Sequence, residues 1–385
     1  MHPATLRQVL SLAALCAAAV LAGCASGKAE AQAEAEATRV AAEAAALAAR
    51  TPPAISLNEG VARDAAVYLA FARDLATLRG GFESPEAIQA ALRKGSAYDP
   101  GQISRGMVAY ASIVALQSPD FVAGVNQYGV NPAGRQKMIA DIIADPRTAS
   151  YLPGADVAAG LIMAALDVDI DALSAAANSI ENDAYAIQAD GRRSWAIAHV
   201  TDRDARLAGA KALSSQPMSP SAAEAARLFT AANTGSGLGV SAGRRRQPAF
   251  PPVVTNALAL AALAALGAGG EDAHANTVAL QSEPTSRNCL NESKLNLYQC
   301  LAASRPSYED MFCVGRHIVR DLATCTRAAA LPAATVTVSD LVPVDDAPPI
   351  IATVPLDPLR RSPVSPTEQR NIGTGSPVPQ GPSGD

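Results

Sequence analysis

What this sequence has little of narrows its reading first. Aromatic residues are 4% of 385, with a single tryptophan. A core built around large rings is excluded, and the 49% of hydrophobic residues must fill space chiefly with alanine, leucine and valine. Basic charge is also short. The net charge is −5, and the one basic run, Arg244-Arg245-Arg246, lies in a Gly/Ser/Pro-rich stretch. Nucleic-acid binding relies on Lys and Arg neutralising phosphates, so no nucleic-acid partner is expected. The four histidines (His2, His199, His274 and His317) include no ligand-spaced pair, and neither a P-loop nor an HExxH motif occurs. No metal and no cofactor is expected. His199, beside Trp195 and Asp202, reads as a partly buried helix residue. Alternating strand-type runs of useful length are missing, which leaves an all-α fold.

The N-terminus carries the most specific pattern. Arg7 precedes an apolar run over residues 9–22, the layout of an export signal. At 14 residues the run is short of the roughly 20 that span a bilayer as a helix. It ends in Leu21-Ala22-Gly23-Cys24, which resembles the lipobox of bacterial prolipoproteins. The resemblance implies cleavage after Gly23, a diacylglycerol thioether on Cys24 and a fatty acid such as palmitate on the new terminus. Two or more acyl chains hold a protein on a membrane durably. Ala25 stands where Asp would favour the inner membrane, so the resemblance favours the periplasmic face of the outer membrane. Membrane lipid, engaged through acylated Cys24, is the first expected partner.

Cys16 leaves with the signal peptide, so four cysteines remain beside Cys24: Cys289, Cys300, Cys313 and Cys325. An even number in an oxidising compartment reads as disulfides, and spacings of 11, 13 and 12 are unlike those of a zinc site. Two helices are expected over 285–328, broken at Arg305-Pro306-Ser307. Cysteines 11 residues apart on one helix lie about 16 Å apart, too far for a bridge. In an antiparallel hairpin the nested pairing is Cys300–Cys313 and Cys289–Cys325, similar to twin-cysteine helical hairpins, although the spacing differs from theirs.

Composition divides the chain into a signal peptide (1–23), a lipidated, Ala/Glu-rich stalk (24–53), a helical domain (54–232), a Gly/Ser/Arg/Pro linker (233–252), an apolar helix with its connection (253–284), the twin-cysteine hairpin (285–328) and a Pro-rich tail (329–385) expected to be disordered. The apolar helix, about 15 residues long, reads as buried rather than membrane-spanning. Within 54–232, Ser56-Leu57-Asn58-Glu59 reads as a capping box. Ser84-Pro85, Ser118-Pro119, Asn131-Pro132, Asp145-Pro146 and Ser219-Pro220 read as helix starts, because proline fits the first helical position. Ile103, Met107, Tyr110 and Val114 share one face. The 34-residue step from Ser84 to Ser118 has the tetratricopeptide period, but the next starts do not keep it. The expected architecture is therefore a helical bundle or an irregular helical solenoid.

Motifs for chemistry are thin. Gly239-Val240-Ser241-Ala242-Gly243 matches G-x-S-x-G but lacks the strand–turn–helix setting that motif needs. Asp167-Val168-Asp169-Ile170-Asp171 begins like a calcium loop, yet Ala172 and Asn178 stand where Gly and Glu are required, so helix capping by Asp169 or Asp171 is expected instead. Glu83-Ser84 resembles the acid of lysozyme-like lytic transglycosylases, whose single carboxylic acid protonates a glycosidic oxygen. The Gly-Leu-Met-Gln signature of that family is absent. Two readings follow. One is a non-catalytic envelope lipoprotein that interacts with, or scaffolds, an envelope protein or peptidoglycan. The alternative is a peptidoglycan-cleaving enzyme using Glu83.

Overall fold

A computed structural model describes residues 27–48 and 51–333. Cys24 with its lipobox, and the tail beyond residue 333, lie outside the described residues. The described chain is helical and carries only two isolated bridge pairs, Leu57 with Gly269 and His199 with Pro306. The first helix, α1 (Gly27–Ala48), is exposed over residues 33–43. Arg39 pairs along it with Glu36 and Glu43, and its 22 residues extend about 33 Å at the α-helical rise.

The core begins with α2 (Glu59–Ala76). Its start differs from the expected box. Asn58, not Ser56, is the cap and accepts from the Val61 amide. The Ser56 and Asn58 amides donate instead to Ala264 and Gly269, so this segment runs extended against a distant loop. Helices α3 (Pro85–Ser96), α5 (Pro119–Gly129) and α6 (Pro132–Ala144) begin as expected, capped by Ser84, Ser118 and Asn131 with proline at the first position. Asp145-Pro146 opens a 3₁₀ turn, Pro146–Tyr151.

Between α3 and α5, α4 (Pro100–Ala115) is buried almost throughout. It packs against α2, against α7 (Ala155–Ala186) and against α10 (Pro252–Ala265). Eleven residues of α10 are buried, as its composition predicts. No single helix among the described residues is long and apolar enough to cross a membrane. Helix α8 (Arg203–Ser214) is followed by α9 (Ala222–Thr234), whose cap is Ser221, two residues past the expected Ser219. His199 is exposed and extended beside Pro306, not part of a helix.

Short α11 (His274–Gln281) leads into the hairpin: α12 (Pro284–Ala303), then α13 (Ser307–Val314), a π-helical segment Gly315–Arg320 and α14 (Asp321–Ala330) without interruption. Both disulfides are nested as the spacing predicts, with Cα–Cα distances of 5.6 Å for Cys289–Cys325 and 5.8 Å for Cys300–Cys313. The π segment explains the unequal spacings. Eleven α-helical residues return to within about 20° of the same face, whereas twelve overshoot by about 120°. A π turn takes up one extra residue, so Cys313 and Cys325, twelve apart, both face α12.

The hairpin is fused to the core rather than appended to it, because α12 packs on α4 while α13 and α14 pack on α7. At its turn Asp310, 0% exposed, accepts from Arg206, from Ser304 Oγ at 2.6 Å and from Gln89 at 2.7 Å. Arg206 and Arg203 also donate to the last carbonyls around α12, those of Leu301, Ala302 and Ser304. Asp310→Ala leaves the buried Arg206 uncompensated, and the urea midpoint should report a loss of about 3–5 kcal/mol. Replacing disulfide pairs by alanine should separate by loop length. Loops of 36 and 13 residues correspond to about 4 and about 3 kcal/mol, so loss of Cys289–Cys325 should lower the midpoint further.

Candidate functional site

The residues singled out in the sequence do not converge. Glu83 is exposed in the loop before Ser84 and lines neither of the two concavities described below. Its neighbours are fixed: the Gly81 amide donates to Asp183 at 2.5 Å, and Arg193 holds Asp183 in a two-pronged pair. Ser241 is exposed in an irregular stretch, not a strand-to-helix turn. Gly243 instead lies against the backbone of Gly160 in α7, and Arg245 of the basic run pairs with Asp156 at 3.2 Å. Residues 167–171 cap nothing. They lie in the middle of α7, where Leu166, Ile170 and Leu173 continue the buried face. Asp167 and Asp171 pair with Arg327. No group of three or more His, Cys, Asp or Glu among the described residues could hold a metal ion.

The structure places a polar cluster where the sequence shows only helix faces. A cleft of about 320 Å³ opens between α2 and α7, lined by Ala72, Arg73, Arg79, Val168 and Asp169 among others. Asp169 Oδ2 is buried and has no hydrogen-bond partner. Behind it the Tyr68 hydroxyl, on a residue that is 0% exposed, and Thr326 Oγ1 of α14 are likewise buried, with no hydrogen bond of normal geometry. Burial pushes the Asp169 carboxyl from the ordinary 3.8 to about 6, with Arg73 opposing. Burial, with the Asp169 charge second, raises Tyr68 well above its usual range and Tyr110 to about 12. A perturbed acid at a cleft is a recognised mark of a functional site. Such an acid can hold or release a proton near neutrality, and beside it Arg73 can hold an anion.

The second concavity, about 390 Å³, lies at the hairpin turn against the end of α7, with Tyr185, Tyr308, Phe312, Cys300 and Glu309 in its lining. Tyr185, 64% exposed, meets the Phe312 ring edge-on at 6.0 Å between centroids. Three of the chain's few aromatics thus border one surface groove. Glu309 accepts from the Arg305 amide at 2.7 Å, and no cationic side chain among the described residues pairs with it.

No family model, curated protein or solved structure matches the chain, so both sites rest on their own geometry.

Asp169 makes stability depend on pH in a defined direction. Its folded-state pKa of about 6 exceeds the ordinary 3.8, so its contribution is complete below about pH 4 and is lost as pH rises through 6. Asp169→Asn should remove that fall and raise stability near neutral pH by about 2 kcal/mol, a figure discounted for partial exposure. Urea midpoints of parent and variant, measured on both sides of the interval, give the comparison.

Proposed function

We propose that the chain is a lipid-anchored envelope protein, tethered through acylated Cys24 at the periplasmic face of an outer membrane, with a non-catalytic interaction or scaffolding role. The observation that carries this reading is the pair of nested disulfides built into the core (Cys289–Cys325 and Cys300–Cys313). Such bonds persist in oxidising compartments outside the cytosol, which is where a chain bearing Leu21-Ala22-Gly23-Cys24 would be delivered. The exposed, ion-paired helix α1 suits a solvated stalk between anchor and body.

The partner-facing surface in this reading is the groove at the hairpin turn. Exposed aromatic rings are over-represented where proteins bind partners. An unpaired carboxylate beside them selects for an apolar peptide segment with an adjacent basic residue. Glu83 is exposed and lines neither concavity, so the alternative of a peptidoglycan-cleaving enzyme has only the Glu83-Ser84 resemblance behind it.

Labelling the expressing cells with a palmitate analogue tests the anchor. The parent should be labelled, should partition into detergent and should begin at Cys24. Cys24→Ser should lose the label and enter the aqueous phase, still oxidised at its four other cysteines. An unlabelled parent that retains residues 1–23 overturns the placement.

A further inference from the structure

We infer that the cleft between α2 and α7 binds a small organic monocarboxylate, its carboxylate between Arg73 and Asp169 and its short apolar part against Ala72, Ala76, Val168 and Ala172. This goes beyond the envelope role proposed above and does not depend on the lipid anchor.

Size is the first argument. The cleft, about 320 Å³, is at the small end of the roughly 300–1,000 Å³ typical of small-molecule sites. That room suits a compact acid. Charge is the second. The Arg73 side chain is 56% exposed and touches Glu224 only once, at 3.3 Å, while Glu224 is already held in a two-pronged pair by Arg227. A guanidinium has five N–H donors, so most of those on Arg73 are free. Arg79 adds a second positive group, with one nitrogen committed to the carbonyls of Ala76 and Leu78. A cationic ligand would meet two arginines, whereas an anion would meet one acid that can carry a proton.

That acid is the third argument. Asp169 lines the cleft while its Oδ2 is buried without a partner, so this carboxyl lacks the hydrogen bonds that a buried charge needs. Behind it, the Tyr68 and Thr326 hydroxyls are buried close to one another. When Asp169 is protonated, its O–H can donate to a ligand oxygen. When it is ionised, it repels the same oxygen. The wall formed by Ala72, Ala76, Val168 and Ala172 offers methyl groups to a short aliphatic chain and little to an inorganic phosphate.

The charged and titratable groups facing the site are Arg73, Arg79 and Tyr68 from α2 and the turn after it, Tyr110 from α4, and Glu224 and Arg227 from α9. On α7 itself, Asp167 and Asp171 are paired with Arg327. Among the acids, only Asp169 is both in the cleft and without a cationic partner at ion-pair distance. Binding should therefore take up one proton on Asp169 and weaken as pH rises.

Calorimetric titration of the mature chain with lactate, an acid ionised throughout the range, tests this at about pH 5.5 and about pH 7.5. With a group titrating at about 6, affinity should be about 25-fold weaker at the higher pH if only the protonated site binds. Asp169→Asn, whose amide always donates, should bind equally at both values. Arg73→Gln should bind at least tenfold more weakly at both, with an unchanged circular dichroism spectrum. Three results overturn the proposal: no saturable binding by the folded parent, a pH dependence that survives in Asp169→Asn, or equal binding of chloride or phosphate in place of lactate.

Discussion

The structure depends on α2 and α4 lying backbone to backbone. A methyl group at Gly106 would collide with the Asp64 carbonyl and with the Tyr68 side chain, so the two helices touch at a distance only a bare α-carbon permits. A chain so poor in aromatics needs this. Small side chains such as alanine and valine fill an interface only where the helix axes come to the short end of the usual range of about 8–10 Å, and dispersion falls steeply across a gap. The same device recurs where Gly124 of α5 meets Pro153 and where Gly160 of α7 meets Arg244. Close approach is also what buries the Tyr68 ring completely and brings its hydroxyl near Asp169.

Within that apolar interior the buried charges are handled differently. Asp310 is saturated by Arg206, Ser304 and Gln89, and it joins four elements at the hairpin turn. Lys294 donates to the Tyr98 and Ser214 carbonyls and lies 4.1 Å from the Tyr98 ring centre, and burial lowers its pKa to about 8. Asp169 has neither kind of support. A protein that satisfies two such groups and leaves a third short of partners beside a cleft has set that third one apart chemically.

Much of the fold is legible from local chemistry. The caps Ser84, Ser118 and Asn131 act on amides two or three residues away, and the cysteine pairing follows from helix rise together with an antiparallel hairpin. Signals fail where the partner is remote. Ser56 looks like a cap, but its segment is claimed by Ala264 and Gly269. His199 looks helical, but it is drawn into extended pairing beside Pro306. The cleft was hidden for the same reason. Asp169 reads as one of three acids at alternate positions and as a candidate helix cap, and only the arrival of α2, α4 and α14, from as far as Thr326, separates its environment from those of Asp167 and Asp171. Tyr110 is recognisable in the sequence as a core-facing residue, though nothing local says that its hydroxyl shares a charged neighbourhood. Glu83 illustrates the converse: a suggestive dipeptide whose setting is an exposed loop.

The wide turn at Gly315–Arg320 gives the second hairpin helix one residue of slack. Loss of a residue there could be absorbed by tightening to ordinary α geometry, with both cysteines still facing α12. Gain of a residue has no such outlet and would swing Cys325 about a third of a turn away from Cys289. The hairpin should therefore tolerate length changes asymmetrically, forgiving deletion and punishing insertion between Cys313 and Cys325, while α12, with no bulge between its own cysteines, has no margin in either direction.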